Sequence, residues 1–212
     1  MSASFVQWKV DRQRCHVPRT LLPVAIEQPA ASRDVVLEWV IEHTESVDEI
    51  YLSMWIIDRC VHPTHLALCE CAVIMAHKML GVEVARMSLL TLARKHGFKS
   101  TVRQLYLNEL YIAEQLSWKF TNVIITDHII SLLRMLRGGG HAKRYMKQCI
   151  LSLLCKFPRT PLPEFAVAVC LEALWLSGQR SDAKRAAVWL SRVSGVTLDI
   201  ARCYVMAQHV EI

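Results

Sequence analysis

The sequence predicts an all-α protein, and three observations carry that prediction. Apolar residues recur at helical spacings of three and four along most of the chain. Glycine and proline number only seven each in 212 residues, and no segment shows the long alternation of β-branched and polar residues that marks strands. With 53% apolar residues, the chain can fill one large domain or two of about 100 residues each.

Residues 1–31 read as an irregular arm. Prolines at 18, 23 and 29 forbid a long helix, and a short one around 5–15 is the most that the periodicity supports. The first clear helix begins after Ser32, a good N-cap, and runs to about His43. Asp34, Glu38 and Glu42 fall on one wetted stripe, whereas Arg33 shares its face with Val36, Leu37 and Val40 and needs an acidic partner. Ser46 with Glu49 forms a capping box for a second helix that ends before Pro63. Asp58 near its end lies on an apolar face. A pair with Arg33 is the economical explanation, because an isolated buried charge costs several kcal/mol; the alternative is that one of the two sits at a helix edge and reaches water.

A third helix over Leu66–Leu80 carries Glu70 as almost its only interior charge, which marks it as the centre of a bundle. His77 and Lys78 close it, where a cation suits the helix dipole, and Gly81 follows. A fourth helix is expected over 84–95 and a fifth over 101–116. In the fifth, Glu109 sits within the stripe Leu105, Tyr106, Ile112, Ala113 and Leu116, so it must be paired, protonated or covered by something else. The stretch 118–126 reads as extended or irregular.

The pattern then restarts: helices are expected over 127–137, 141–157, 161–177, 181–194 and 197–208, with Gly138, Gly139 and Gly140 as a flexible joint. Five helices twice, with Gly178 aligned to Gly81, suggest an internal duplication and the division 1–31 arm, 32–126 first repeat, 127–212 second repeat. With that glycine anchor Lys78 falls opposite Trp175, and with Thr197 aligned to Thr101 Glu109 falls opposite Val205. The bundle itself therefore requires neither ion, and both are expected to serve an external partner of the first repeat.

The formal charge of +6 is read as a mildly basic surface, with cations scattered among acids and no long like-charge run, so nucleic-acid binding is not the leading expectation. Eight cysteines lie mostly in apolar helical stretches, as in a reducing compartment. No secretory leader pattern or membrane-spanning run stands out, so a soluble intracellular protein is expected. Cys69 and Cys71 point to different sides of a helix and make no zinc knuckle; His65 with Cys69, at i and i+4, could supply two ligands. No nucleophile or phosphate-loop motif is present, and no enzyme, metal or cofactor is expected.

These residues together resemble the cyclin family. Ser32-Arg33-Asp34-Val35-Val36-Leu37-Glu38-Trp39 is similar to the cyclin stretch M-R-A-I-L-x-x-W, and Ala76-His77-Lys78-Met79 to its A-S-K-[FMY]. Glu109 through Leu116-Ser117-Trp118-Lys119-Phe120 resembles the E-x6-L-x-W-x-L ending of a first cyclin box. Ser117-Trp118-Lys119-Phe120 and Leu190-Ser191-Arg192-Val193 look most like D-type cyclins and their viral relatives. The resemblance covers roughly residues 32 to 210 and implies a cyclin fold of two five-helix boxes.

It also implies roles. In cyclins the arginine and aspartate matching Arg33 and Asp58 form an internal ion pair, and the lysine and glutamate matching Lys78 and Glu109 hold a kinase's regulatory helix. Met79, Trp118 and Phe120 would add apolar docking contacts. Val35, Val36, Trp39 and Glu42 match the patch that captures Arg-x-Leu motifs in substrates and inhibitors; Ser32 and Val36 stand where methionine and leucine are usual, so that patch is expected to be shallow. The resulting expectation is a regulatory subunit that forms a heterodimer with a cyclin-dependent kinase and activates it allosterically in cell-cycle control, in nucleus and cytoplasm, with a virus-encoded origin open. The alternatives are a cyclin-fold adaptor of transcription factors or nucleic acid, and a cyclin-like protein that binds a kinase without activating it.

Overall fold

The computed structural model describes residues 32–60, 66–81, 89–119, 124–136, 139–157 and 159–193, and among these the regular structure is entirely helical. Nine helices follow in order: α1 (Arg33–Glu42), α2 (Val47–Ile57), α3 (Leu66–Leu80), α4 (Leu89–Lys95), α5 (Val102–Gln115), α6 (Ile125–Arg134), α7 (Met146–Lys156), α8 (Leu162–Leu176) and α9 (Arg180–Val193). A single helical turn (Gly139–Ala142) and a 3₁₀ turn (Lys143–Tyr145) lead into α7. The arm at 1–31, the start of the expected fourth helix, Phe120 and the expected last helix at 197–208 lie outside the described residues. No helix described here is long and apolar enough to cross a membrane.

The helix starts follow from local chemistry. The Ser32 hydroxyl accepts from the Val35 amide, and Ser46 and Glu49 close a reciprocal capping box at α2. Thr101 and Gln104 do the same for α5. Helix α6 has no cap of its own. Asp48 of α2 fills that role from a distance, accepting from the Thr126 amide at 2.9 Å and its hydroxyl at 2.7 Å.

Two helices organise the packing. Helix α3 is buried along most of its length by α1, α2, α4 and α5; α8 is buried by α6, α7, α9 and the turn at Gly139–Ala142. A single apolar core spans both groups, because α2 also packs on α6 and α7, and the Tyr51 ring meets that of Phe165 in α8 at 5.2 Å. Glu70 of α3, buried among apolar neighbours, is satisfied by the Lys99 and Ser100 amides at 3.0 Å each, which ties down the approach to α5.

Gly139 is a correction to the flexible joint expected from sequence, while Gly138 lies outside the described residues. Gly139 is buried in a helical turn, and a Cβ there would lie 1.8 Å from the Leu133 carbonyl oxygen. The residue is needed for the close approach of that turn to the end of α6, where a side chain has no room.

Candidate functional site

Arg33 lies at the start of α1 and Asp58 just past the end of α2, so the packing of these helices decides whether the two meet. The guanidinium forms a fork: Nε donates to Asp58 Oδ1 and Nη2 to Oδ2, both at 2.8 Å. Its Nη1 donates to the carbonyls of Leu154 and of Cys155, the latter at 3.1 Å. Arg33 therefore joins α1 and α2 to the carbonyl end of α7, a favourable place for a cation. Arg159 reinforces the junction from the other side, its Nε donating to the Asp58 carbonyl at 2.5 Å.

Lys78 and Glu109 meet each other. Lys78 Nζ in the last turn of α3 donates to Glu109 Oε1 on α5 at 2.8 Å, and both side chains are only partly exposed. Each neutralises the other within the chain, so the ions expected to serve an external partner would meet that partner as a preformed pair. Beside Lys78, Met79 is half-buried and packs on the core. Trp118 follows α5 with a positive φ of 58°, in a turn that sends its amide back to the Ala113 carbonyl.

The outer side of α1 is narrower than the sequence suggests. Val35 is 52% exposed and Glu42 is exposed, but Val36 is only 5% exposed and belongs to the core, because the Arg33 anchor turns that face toward α2 and α7. Trp39 is half-buried and stacks on His43 at 4.3 Å and on Phe98 at 5.6 Å. Asp34 and Glu38 are exposed, as their stripe requires.

Three groups escaped the sequence reading. Glu49 both caps α2 and receives His77 Nδ1 at 2.5 Å, while His96 meets His77 edge-on at 5.4 Å and stacks on Phe98. Burial first, then His77 and Lys95, hold His96 below the ordinary imidazole range. Glu172 in α8 is 1% exposed with Oε2 unpartnered, and burial pushes its carboxyl up to about 7 against the opposing pull of Lys156. The third group is a basic corner: from 128 to 163 the sequence holds seven lysines and arginines and no acid, while cations and acids nearly balance elsewhere. Scanning for uninterrupted runs hid this, and scanning for missing acids would have found it.

The buried thiols among the described residues are poor candidates for chemistry. Burial raises Cys60 to about 11 and Cys69 and Cys149 to about 12, and it drives Cys71 and Cys170 up as well. Among the described residues no disulfide is formed. His65 lies outside the described residues, and among these no cluster of three or more His, Cys, Asp or Glu could hold a metal ion.

No protein-family model matches this sequence, and no curated protein matches it.

Proposed function

We propose that this chain is a cyclin-type regulatory subunit, with 32–126 and 127–212 as its two cyclin boxes, that binds a cyclin-dependent kinase and activates it allosterically. The observation that carries the reading is the pairing of four charges that the resemblance picks out in order: Arg33 with Asp58 and Lys78 with Glu109, each at 2.8 Å. The first pair sits at a helix junction and acts as a brace. The second lies between α3 and α5, partly exposed, where it can exchange its internal contact for bonds to an incoming helix. Met79, Trp118 and Phe120 would flank that contact with apolar area, and the charges would fix its register. The kinase helix, once held, favours the arrangement in which its own Lys–Glu pair forms and its activation segment opens. On the α1 side, Val35, Trp39 and Glu42 remain for an Arg-x-Leu motif, with Val36 contributing only to the support beneath them.

The mutual pairing of Lys78 and Glu109 gives the decisive test. Lys78→Glu and Glu109→Lys each abolish kinase capture and activation in co-purification and phosphorylation assays. The double exchange restores the internal pair, and with it the melting temperature, but it presents reversed charges to the kinase and does not restore capture. Kinase capture at the wild-type level by both single variants refutes the reading; recovery of capture by the double exchange reduces the pair to a structural role.

A further inference from the structure

We infer that the corner joining α6 to α7 is a second interaction surface, built to hold an acidic peptide segment of a partner protein. The described residues place Arg134 at the end of α6, His141 in the following turn, and Lys143, Arg144 and Lys147 at the entry to α7, and all five side chains are exposed. Lys143 and Lys147 are four residues apart and Arg144 and Lys147 three apart on successive helical turns, so they project along one side. The tight seat of Gly139 against the Leu133 carbonyl fixes the turn Gly139–Ala142 on α6, at whose end Arg134 and Met135 stand.

Fold stability does not account for these cations. Among the described residues none of the five forms an ion pair. Lys143, Arg144 and Lys147 stand at the start of α7, the end of a helix dipole where positive charge is unfavourable, and neither the entry turns nor the first turn of α7 holds an acid. Placing like charges together without acids costs folding free energy and strengthens attraction for an anion.

The chemistry of the corner favours a peptide over nucleic acid. Tyr145, the aromatic residue within it, packs against the core and offers no platform for base stacking. Met135 is 57% exposed, the most exposed large apolar side chain among the described residues, and adjoins Arg134. A pliable apolar anchor beside Arg134, with the cations of the α7 entry beyond the turn, matches a segment in which Asp and Glu accompany one or two aliphatic residues.

The test uses the full chain and three fluorescent probes: a short peptide of glutamates around a central leucine, the same peptide with serine for leucine, and a DNA duplex. The leucine peptide is expected to bind with salt-sensitive affinity and to lose about tenfold or more when Lys143, Arg144 and Lys147 are all changed to Glu. Met135→Ser weakens the leucine peptide toward the level of the serine peptide. A control changing Arg94, Lys99 and Arg103 to Glu alters net charge equally and is expected to stay within about twofold. Circular dichroism and melting confirm that each exposed-site variant is folded, and a Gln version of the Lys143, Arg144 and Lys147 variant is measured alongside. Equal losses in both charge-reversed proteins, no loss in either corner variant, or tighter binding of the duplex than of either peptide each overturn the proposal.

Discussion

Replacing Arg33 with alanine is expected to destabilise the protein more than any ordinary surface ion pair would. The Asp58 side chain is 8% exposed and that of Arg33 24%, so the change leaves a carboxylate almost wholly removed from water without its fork of donors. Breaking a buried pair costs about 3–5 kcal/mol, and the partial exposure of Arg33 lowers that to about 2–4 kcal/mol. The Leu154 and Cys155 carbonyls lose a donor in the same step. For a chain of this size the corresponding fall in Tm is about 5–15 °C. Arg33→Lys keeps the charge but not the fork, and is expected to cost about 1–2 kcal/mol. Urea unfolding followed by circular dichroism measures all of these. The double replacement Arg33→Met with Asp58→Leu should cost less than Arg33→Ala, because it removes the stranded charge. An Arg33→Ala variant within about 1 kcal/mol of the parent would refute the description of Arg33 as a brace.

Glu172 predicts a stability slope in pH. Its folded carboxyl keeps a proton up to about 7 while the unfolded one releases it near 4.5, so the folded state binds more protons in between, and stability falls as pH rises through 7. With solvent screening near Lys156 allowed for, the loss is roughly 1–2 kcal/mol, and Glu172→Gln flattens it; identical midpoint profiles for parent and variant between about pH 5 and 8 would sink the idea. His96 acts oppositely, its contribution being full above 6.5 and lost as pH falls, so only the difference between parent and Gln variant isolates Glu172. Gly139→Ala is expected to cost about 2–4 kcal/mol because its Cβ meets backbone, whereas Gly140→Ala, with open space around it, is neutral or slightly stabilising; equal melting temperatures for the two would contradict the tight turn.

Local chemistry was the most legible part of the sequence. The Ser46–Glu49 box and the third-helix span need only a few neighbouring residues to be recognised, and the Arg33 and Asp58 faces follow from helical period alone. What the period cannot supply is the distance between helices. Lys78 and Glu109 are 31 residues apart, and the repeat expected over 127–212 gave no sign that the two would meet each other. Glu70 was visible as an odd charge, but its ligands are backbone amides, which carry no side-chain signature in the sequence. Gly139 looked like freedom of movement because a missing side chain reads the same way in a loose joint and in a close contact. The basic corner was legible throughout and was missed through the choice of what to count.

The distribution of ionic groups separates the molecule into two kinds of surface. In the stretch from α1 to α5, charges near the core are matched: Arg33 by Asp58, Lys78 by Glu109, His77 by Glu49, and Glu70 by amides. Such groups fix helix to helix, and those that are partly exposed can exchange partners without first stranding a bare charge in the interior. Arg134, Lys143, Arg144 and Lys147, by contrast, have no acids near them in sequence and are exposed, so they contribute little to holding helices together and much to the field outside. The C-terminal turns of the two central helices also differ, since that of α3 carries His77 and Lys78, both in ion pairs, whereas that of α8 holds no basic residue. A surface made by preformed pairs selects a partner by geometry, because the pairs must be rearranged before new bonds form. A surface of unpaired cations selects by charge and is weakened by salt. On the readings proposed above, the first region would take a shaped helical partner and the second an acidic segment, and the Arg33 fork, which reaches from α1 to the end of α7, is a polar link between the first region and the helix at whose start the second lies.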